Sequence, residues 1–574
     1  MAFTLSPGVS VSEVNLTTVV PSVLTTAGAF AGYFPWGPVN QITTITSQVN
    51  LATTFTAGLG PDANSFVNFF TCGNFLSYGN NLQVIRSVGA NANNSVANTT
   101  AGAATLFIPN ESYYQNSYLS NNNANKYGPF AGRYSGALGN SLTVSVCASS
   151  ANFSTWTYAS QFPAAPNTST YVANQGGSND QMHVIVVDST GKITGVANTV
   201  LEKYAFVSKA VNAVNNDGTS NWWKQQIFTK SRYIYAMDAV DYANTSSTWN
   251  TTASNTSFYG PANFTYTLTG GIDDVGTDAT QATSWNFFNN KESVNISLVL
   301  TGAASTTLQS SIINNVVLSR LDCLAFVSPP LSAVVNNAGN EASSITTWLS
   351  SLGISSSYVV ADSGWKYQFD QYNNVYRWIP LNGDVAGLCV NTDSVAQPWF
   401  SPAGFNRGTV KNVIKLAWNP SKTYRDTLYS VGVNPVVTFP GQGTVLFGDK
   451  TLLSQPSAFD RINVRRLFII LEKAIAAAAQ YSLFEINDSY TQTQFMNLVT
   501  PYLRNVQGLR GITAFQVVCD STNNTPSVIN NNQFVGDIYI QPSRSANFIQ
   551  LNFVAVNTGV SFNTLVGGVS SVNS

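Results

Sequence analysis

The feature that most restricts what this chain can fold into is the small number of charges it carries for its length. Charged side chains make up 9% of its 574 residues, against about one quarter in ordinary soluble domains. Hydrophobic residues reach 44%, so Asn, Ser, Thr and Tyr must cover much of the surface. Polar but uncharged groups can be buried against a neighbouring molecule without stranding ions. The composition therefore favours a protein that packs against other proteins.

Length and net charge narrow the possibilities further. A chain of 574 residues is too long for one hydrophobic core, and usual domain sizes predict roughly three to five compact units. The formal net charge is -1, so no long-range field repels identical copies or attracts polyanions. We therefore expect association between copies and no direct binding of nucleic acid.

The sequence lacks the usual signs of export, membrane insertion and disulfide bonding. Its first basic residue is Arg86, so the N-terminus has no positively charged flank of a signal peptide, and no apolar run has membrane-spanning length. We expect assembly in a cytoplasm without membrane insertion. Five widely spaced cysteines fit neither a disulfide framework nor a paired-cysteine metal site, and buried reduced thiols are predicted at Cys72, Cys147, Cys323, Cys389 and Cys519.

Nearly half of the chain, residues 1–270, divides by composition into an N-terminal arm, a compact stretch and a longer stretch rich in polar uncharged residues. Residues 1–20 are predicted to form an extended N-terminal arm, since Val9 and Val11 alternate with serines. Residues 21–88 are predicted to form the first part of a core, with a phenylalanine-rich helix followed by a strand over 82–88. Residues 89–270 are rich in Asn, Ser, Thr and aromatics, with short strand-like runs between turns, and are predicted to form one or two inserted β-rich domains.

The pattern becomes α/β over residues 271–455, where apolar runs alternate with helical stretches, as in a sheet covered by helices. Residues 456–556 are predicted to form a C-terminal α+β domain, and 557–574 a tail. Its first helix is predicted to begin at Ser457, where Ser457 and Asp460 have capping-box spacing. A second helix is predicted over 491–507 despite Pro501, with strands over 515–519, 537–540 and 548–556. The fold class is a mixed α+β and α/β multidomain protein.

Residues able to support catalysis or metal binding are scarce. The one histidine, His183, lies in an apolar strand-like run, where a structural role is far more common than catalysis. Asp273 and Asp274 follow two glycines, a setting in which Asp usually accepts hydrogen bonds from the backbone of a turn. We predict no enzyme activity, no cofactor and no metal site.

Two further clusters have ordinary structural explanations. Gly441, Gly443 and Gly448 resemble a phosphate-binding loop only weakly, because no Gly-Lys-Ser/Thr follows them. Arg461, Arg465 and Arg466 lie in the first turns predicted for the Ser457 helix. A solvated face or salt bridges explain three arginines at least as well as a polyanion site.

Seven motifs follow one another along nearly the whole chain. They are Ser6-Pro7-Gly8-Val9-Ser10-Val11-Ser12-Glu13, Gly28-Ala29-Phe30-Ala31-Gly32, Trp36-Gly37-Pro38-Val39-Asn40, Leu268-Thr269-Gly270-Gly271-Ile272-Asp273, Asn463-Val464-Arg465-Arg466-Leu467-Phe468, Phe484-Glu485-Ile486-Asn487 and Phe548-Ile549-Gln550-Leu551-Asn552-Phe553. In this order they resemble one family, the sheath proteins of long contractile phage tails. Their order is more specific than any one of them, and the C-terminal block is the most specific.

The resemblance implies a structural subunit of the virion tail. Such subunits form stacked hexameric rings around an inner tube and contract to drive the tube through the host cell envelope during genome delivery. The implied partners are further copies of the chain, the tail tube protein, and the baseplate and tail terminator proteins.

The resemblance also implies how the subunits are joined, namely by exchange of terminal strands that complete the sheet of a neighbour's C-terminal domain. The implied exchange residues are Val9, Val11, Glu13, Phe548, Ile549, Leu551 and Phe553. By the same resemblance the C-terminal domain is innermost, so Arg465, Lys473 and Arg504 are candidates for contact with the tube. Ordinary pairing within the chain is the alternative for these three cations.

Two other classes of protein would explain some of these sequence features. An adhesin or surface-layer protein would explain the Asn, Ser and Thr content and the β-rich insertion, but it would need an export signal. A cell-wall hydrolase of a tail would need two acidic residues brought together by folding, and no convincing pair is visible in the sequence.

Overall fold

A computed structural model of the chain describes residues 20, 23–56, 63–97, 105–120, 127–237 and 248–551. The strands of this part are, in chain order, β1 Gly28–Gly32, β2 Thr43–Ile45, β3 Leu82–Arg86, β4 Asn94–Val96, β5 Phe130–Ser135, β6 Leu142–Cys147, β7 Gln181–Asp188, β8 Thr199–Ser208, β9 Ile234–Ala236, β10 Phe264–Thr267, β11 Leu298–Leu300, β12 Leu324–Val327, β13 Val359–Asp362, β14 Trp365–Asp370, β15 Val375–Pro380, β16 Lys415–Leu416, β17 Val433–Asn434, β18 Val436–Phe439, β19 Gly443–Leu446, β20 Ile512–Val518 and β21 Asp537–Pro542. Its α-helices are α1 Gln48–Phe55, α2 Ala63–Leu76, α3 Glu111–Tyr114, α4 Thr170–Asn174, α5 Trp223–Lys230, α6 Asp278–Trp285, α7 Thr306–Ile312, α8 Leu318–Arg320, α9 Leu331–Val334, α10 Glu341–Leu352, α11 Asn382–Val395, α12 Lys422–Ser430, α13 Ile462–Ala479, α14 Ser489–Gly508 and α15 Pro526–Asn530.

A seven-stranded sheet in the order β17-β13-β12-β11-β1-β3-β2 forms the centre of the fold, and every pairing in it is parallel except that of β2 with β3. Its strands are apolar on both faces, as buried parallel strands are. On β1, Phe30 enters the apolar core on one face, while Ala29 and Ala31 enter the core on the other. Gly28 admits no side chain, since a Cβ would lie 2.7 Å from the Phe75 ring. The predicted mixed α/β multidomain fold is confirmed.

Between β3 and β11 the chain forms two antiparallel sheets, in the orders β10-β6-β7-β8 and β4-β5-β9. Two of the short strand-like runs in this stretch are thus present as β6 and β7. A shared aromatic core surrounds Trp223, and Tyr114 stacks on Tyr235 with ring centres 4.0 Å apart. The described part of this stretch contains seven strands in two sheets.

The buried side chain of Arg86, at the end of β3, joins the insertion to the central sheet. Its guanidinium donates to the carbonyl oxygens of Phe34 at 2.6 Å, Gly37 at 2.9 Å, Pro35 at 3.2 Å and Ser135 at 2.7 Å. Burial lowers the pKa of Arg86 to about 10, so the group is still charged near neutral pH. Carbonyl groups of the central part and of the insertion thus bind the same guanidinium. These charge-assisted hydrogen bonds hold the start of the insertion against the central sheet.

The C-terminal part packs α13 and α14 together and against β20 and β21 through one apolar cluster. The prediction that its first helix begins at Ser457 is wrong. Ser457 instead caps a short 3-10 turn, and α13 begins at Ile462. The reason is a backbone ladder, in which Thr451 N donates to Asp460 O at 3.0 Å and Ile462 N donates to Asp449 O at 2.8 Å. The residues around Arg461 are therefore held extended, and the helix starts after them.

The other predicted C-terminal elements are present up to Pro542. The helix α14 spans the predicted range and contains Pro501. The strands β20 and β21 cover the predicted runs and pair antiparallel. All five cysteines are free and buried, as predicted. Among the described residues, no helix combines the length and apolar character needed to cross a bilayer.

Candidate assembly site

The strands β20 and β21 form a two-stranded ribbon that no other strand of the described chain joins. Phe515, Val517 and Ile538 contribute to the core that the ribbon shares with α14. A two-stranded ribbon has marginal stability alone, and its open edges carry unpaired backbone groups ready to accept an extended chain. The ribbon is therefore a surface suited to strand addition.

The backbone pairing of the ribbon ends just after Pro542, with a last bond in which Ser543 N donates to Gly511 O at 3.1 Å. The prediction of a strand over 548–556 with one buried face is wrong for its described part, which contains no strand. The side chains of Phe548, Ile549 and Leu551 are 87%, 79% and 72% exposed. The alternation in sequence needs a partner strand, and a single chain supplies none here. The other predicted exchange residues, Val9, Val11, Glu13 and Phe553, lie outside the described residues.

The first residues of this segment are fixed to the central part of the molecule. Ser545 Oγ donates to Asp449 Oδ2 at 2.9 Å, and Asn547 Nδ2 donates to Asp449 Oδ1 at 2.9 Å and to Tyr429 Oη at 2.9 Å. The direction in which the segment departs is therefore set by three side-chain bonds, and its exposed apolar residues follow immediately.

A second exposed apolar surface lies between α13 and α14, where the sequence analysis identified only the motif Phe484-Glu485-Ile486-Asn487. The side chains of Tyr481, Leu483, Phe484, Ile486 and Tyr490 are 75%, 63%, 106%, 78% and 67% exposed. Contiguous exposed apolar surface of this kind marks interaction sites in soluble proteins. The signal available in sequence was an apolar run without helical spacing between two well-patterned helices.

Two of the three candidate tube-contacting cations are engaged within the chain. The guanidinium carbon of Arg465 lies 4.0 Å from the Phe459 ring centre and 4.3 Å from that of Tyr358. The ammonium of Lys473 lies 3.2 Å from Asp322 Oδ2. Arg465 is buried and Lys473 half-buried. Both side chains therefore have partners within the chain, which was the alternative to contact with the tube.

Arg504, on α14, is the third candidate and is exposed. Arg466 and Lys473 form ion pairs with Asp393 and Asp322. In the described part of the chain, no carboxylate lies within ion-pair distance of the Arg504 guanidinium. Among the three predicted cations, Arg504 is thus the one free to meet another molecule.

His183 is a structural residue in the interior of the insertion. Its Nε2 lies 2.8 Å from the carbonyl oxygen of Ala164, and its Nδ1 accepts from the Phe206 amide at 3.1 Å. The Phe162 ring stacks on it with centres 4.4 Å apart. The two bonds fit a neutral imidazole that donates through Nε2. Burial lowers the pKa of His183.

This burial predicts a pH dependence of stability. The unfolded chain takes up a proton near pH 6.5, whereas folded His183 resists protonation, so stability should fall as the pH drops below that value. We expect His183→Gln, which keeps one donor and one acceptor but does not titrate, to flatten this fall. Melting temperatures of both proteins between about pH 7 and pH 5 test it, and parallel curves would contradict it.

The paired aspartates at the end of the insertion bind backbone amides, as the turn interpretation predicts. Asp273 Oδ1 accepts from the Ala137 amide at 3.1 Å, while the Asp274 carboxylate accepts from the amides of Asn91 and Gly276, each at 2.9 Å. These bonds lower the pKa of Asp274. The carboxylates therefore close the base of the insertion.

The glycines considered as a phosphate loop belong to a hairpin. Gly441 and Gly443, with φ of 72° and 81°, form the turn between β18 and β19, a conformation that glycine adopts without strain. In the described ranges, no group of three His, Cys, Asp or Glu residues is placed to hold a metal ion.

The carboxyl ends of the central strands, where open α/β sheets commonly bind ligands, are filled by side chains of the protein. Asn382 accepts from the Gly302 amide at 3.0 Å and donates to Gly302 O at 2.8 Å and Ser328 Oγ at 2.9 Å. Ser328 in turn lies 2.6 Å from Asp362 Oδ2. Burial raises the pKa of Asp362 to about 8. Gly302, Ser328, Asp362 and Asn382 thus form a packed polar network, here called the plug, that fills the space at the strand ends.

Beside the plug lies an ion pair that sequence reasoning missed. Lys366 Nζ and Asp384 Oδ1 are 2.9 Å apart, and both side chains are fully buried. Lys366 also donates to the carbonyl oxygen of Lys411 at 2.8 Å, and the Tyr78 hydroxyl lies 3.2 Å from Asp384 Oδ1. Burial lowers the pKa of Lys366 and raises that of Asp384. No local pattern marks either residue, because only folding brings β14 and α11 together.

Comparison with known proteins identifies relatives along the whole chain. Residues 276–452 match the family described as the phage tail sheath protein central domain, and residues 454–555 match the phage tail sheath C-terminal domain. The tail sheath protein of Vibrio phage KVP40 is 32% identical, with 98% of this chain and 100% of that protein aligned. The tail sheath protein of Enterobacteria phage T4 is 31% identical, with 98% and 99% aligned.

Solved structures share the fold at low sequence identity. A sheath tail protein from Listeria innocua superposes with a TM-score of 0.53 at 12% identity, covering 90% of this chain and 92% of that one. The helical sheath of the anti-feeding prophage in its contracted state gives a TM-score of 0.50 at 13% identity, covering 96% and 99%. The fold of this chain is therefore similar to that of these sheath proteins.

Proposed function

The chain belongs to the family of phage tail sheath proteins, and from that premise we propose that it polymerises as stacked hexameric rings around an inner tail tube. The rings contract and drive the tube through the host cell envelope during genome delivery. The chain is thus a contractile sheath subunit, a structural protein of the tail. Its further partners are the tail tube, baseplate and tail terminator proteins, and assembly takes place in the host cytoplasm.

The observation that carries this proposal is the incomplete state of the isolated subunit. One chain contains a two-stranded ribbon with open edges and, directly after it, an unpaired segment whose apolar side chains are exposed. In a monomer, open strand edges and exposed apolar side chains both favour aggregation. Both are resolved if terminal segments of neighbouring copies add strands to the ribbon.

Chain length permits such an exchange. The first 19 residues, fully extended, reach up to roughly 60 Å, whereas a domain of about 100 residues has a radius of gyration of about 13 Å. An arm of this length can leave its own subunit and pair on another. The joint then consists of backbone hydrogen bonds, which persist while the globular parts slide and rotate, so the lattice rearranges without dissociating.

The tube contact is proposed for the exposed face of α14. Arg504 supports it, since this guanidinium is exposed while Arg465 and Lys473 have partners within the chain. An exposed arginine adds mainly to specificity and rate of association. Its partner on the tube would be an acidic side chain.

Truncation tests the proposal. We expect the intact chain, alone or with its tail tube protein, to form tubes or rings in negative-stain electron microscopy. Variants lacking residues 1–19 or 552–574 should remain monomers with an unchanged melting temperature, because the described cores keep all their residues. Tubes from both truncations would contradict strand exchange, and an intact chain that stays monomeric beside its tube protein would contradict a sheath subunit.

A further inference from the structure

A cleft of about 740 Å³ lies between the ribbon and the central part of the molecule. Its lining includes four arginines: Arg407, Arg425, Arg510 and Arg544. Arg510 stands two residues before β20 begins, and Arg544 stands two residues after β21 ends. Because β20 and β21 are antiparallel, these two arginines mark the same end of the ribbon. That end therefore opens into the cleft.

The four guanidinium groups have no carboxylate partner in the described part of the chain. The two acidic residues in the lining pair with other cations, Asp426 with Lys422 of the same lining at 2.9 Å and Asp449 with Arg461 at 3.6 Å. In a protein with 26 basic residues and 27 acidic ones, four arginines without a carboxylate partner in one cleft are a local excess of positive charge. Such a cleft attracts an anion.

Three of the four arginines are also held in place before any partner arrives. Arg407 and Arg510 lie 5.4 Å and 5.9 Å from the ring centre of Phe400, and Arg407 Nε donates to the carbonyl oxygen of Ser401 at 2.9 Å. Arg425 donates to the carbonyl oxygen of Pro420 at 3.1 Å. A guanidinium ordered in this way loses less entropy when it binds a carboxylate.

The sequence offers one side chain that matches this charge among the terminal segments. Glu13 is the single charged side chain in the first 61 residues, and no charged side chain follows Arg544. The two terminal segments outside the described residues, 1–19 and 552–574, therefore contain one carboxylate side chain between them.

We infer that the four-arginine cleft binds Glu13 from the N-terminal arm of a second copy of the chain. This inference rests on the proposed strand exchange and deepens it. An arm added along an edge of the ribbon runs toward the end at which Arg510 and Arg544 lie, and a carboxylate there forms charge-assisted hydrogen bonds with guanidinium groups.

The course of the chain's own N-terminal segment favours a second copy as the source of the arm. Thr25 and Arg466 share Asp393 Oδ2 as a partner, whereas Val20 packs against Ala474 and Ala478. Toward the N-terminus the segment thus runs along α13 from its second turn to its C-terminal end. The cleft lies at the opposite end of that helix, at Asn463. About 22 Å of helix separates Asn463 from Ala478, so the chain's own arm leads away from the cleft.

A single charge in this place would set the register of the exchanged strand. The alternation of Val and Ser over Val9 to Ser12 specifies which face of the strand is buried, but a slip by two residues keeps the same face, and Glu13 is the side chain that distinguishes such registers. Electrostatic complementarity supplies specificity more than affinity. The pair would therefore select one pairing of the arm among several of similar energy.

Disulfide trapping tests the contact directly. Ser12→Cys combined with Ala546→Cys keeps Glu13 and all four arginines, and the five native cysteines are buried and do not compete. We expect assembled protein to give dimers and higher multimers on a non-reducing gel. The matched control, Ser12→Cys with Lys291→Cys at an exposed site outside the cleft, should give none. A disulfide within single chains, or equal multimers from both variants, would overturn the inference.

Charge reversal tests the ion pair. Glu13→Arg and Arg510→Glu should each raise the protein concentration needed for tube formation about tenfold or more, and the combined variant should restore it. Tubes from both single variants at the unaltered concentration would overturn the inference while leaving the proposed function standing. Absence of tubes from the unaltered chain, even with its tube protein, would overturn the proposed function and this inference with it.

Discussion

Replacing Asp384 with asparagine is expected to lower the free energy of unfolding by about 3–5 kcal/mol, the usual effect of removing one partner of a buried ion pair. The Lys366 ammonium would remain in a fully buried site with the Lys411 carbonyl oxygen as its remaining described partner. An uncompensated buried charge is destabilising because protein groups do not replace the water it has lost. Urea unfolding followed by tryptophan fluorescence measures the change.

A second variant tests whether the loss of stability comes from the unpaired charge of Lys366 or from the change at Asp384 itself. Lys366→Met combined with Asp384→Asn removes both charges and keeps the volume of each side chain close to the original, so we expect it to recover most of the lost stability. Asp426→Asn is the matched control, because its pair with Lys422 is exposed on both sides and such pairs contribute little. A double variant as unstable as Asp384→Asn, or a control equally unstable, would contradict this account of the ion pair.

The parts of the fold that follow from local pattern were predictable from the sequence. The strand β6 and the helices α2 and α14 lie where apolar residues recur with the period of two or 3.6 that these elements require, and β7 and β12 are short apolar runs. A sheet covered by helices also followed from the alternation of apolar runs with helical stretches, whereas the parallel pairing of its strands was not predicted. These features depend on neighbours within one element.

The parts that were missed depend on contacts between distant segments. The first C-terminal helix starts at Ile462 because residues near Asp449 pair with the backbone before it. Capping-box spacing cannot reveal such a competitor. In the same way, Lys366 and Asp384 are two ordinary polar residues until β14 and α11 pack together.

The C-terminal segment shows that a local pattern can also be present in the sequence without forming the expected element in a single chain. The alternation over 548–556 was visible in the sequence, yet the described residues of this segment form no strand in a single chain. Period-two alternation reports that a segment suits a strand, not which molecule supplies the partner. The four-arginine cleft was missed because Arg407, Arg425, Arg510 and Arg544 are far apart in sequence.

Replacing Ile549 and Leu551 together with aspartate is expected to abolish tube formation without changing the stability of the monomer. Both side chains are more than 70% exposed in the single chain, so the monomer loses no buried contact. In a strand added to a neighbour's ribbon they would lie on one face, and each buried aliphatic side chain contributes about 1.5–3 kcal/mol. Losing both raises the concentration for assembly more than about a hundredfold.

The control separates this effect from added negative charge alone. Val196→Asp with Ala197→Asp places two aspartates in an exposed turn of the insertion, and this variant should assemble normally. Electron microscopy at matched concentrations, with melting curves of each monomer, gives both readouts. If the Ile549 and Leu551 variant formed tubes as readily as its control, the C-terminal segment would not be a buried strand of the lattice. The ribbon would then have to be completed by the N-terminal arm alone.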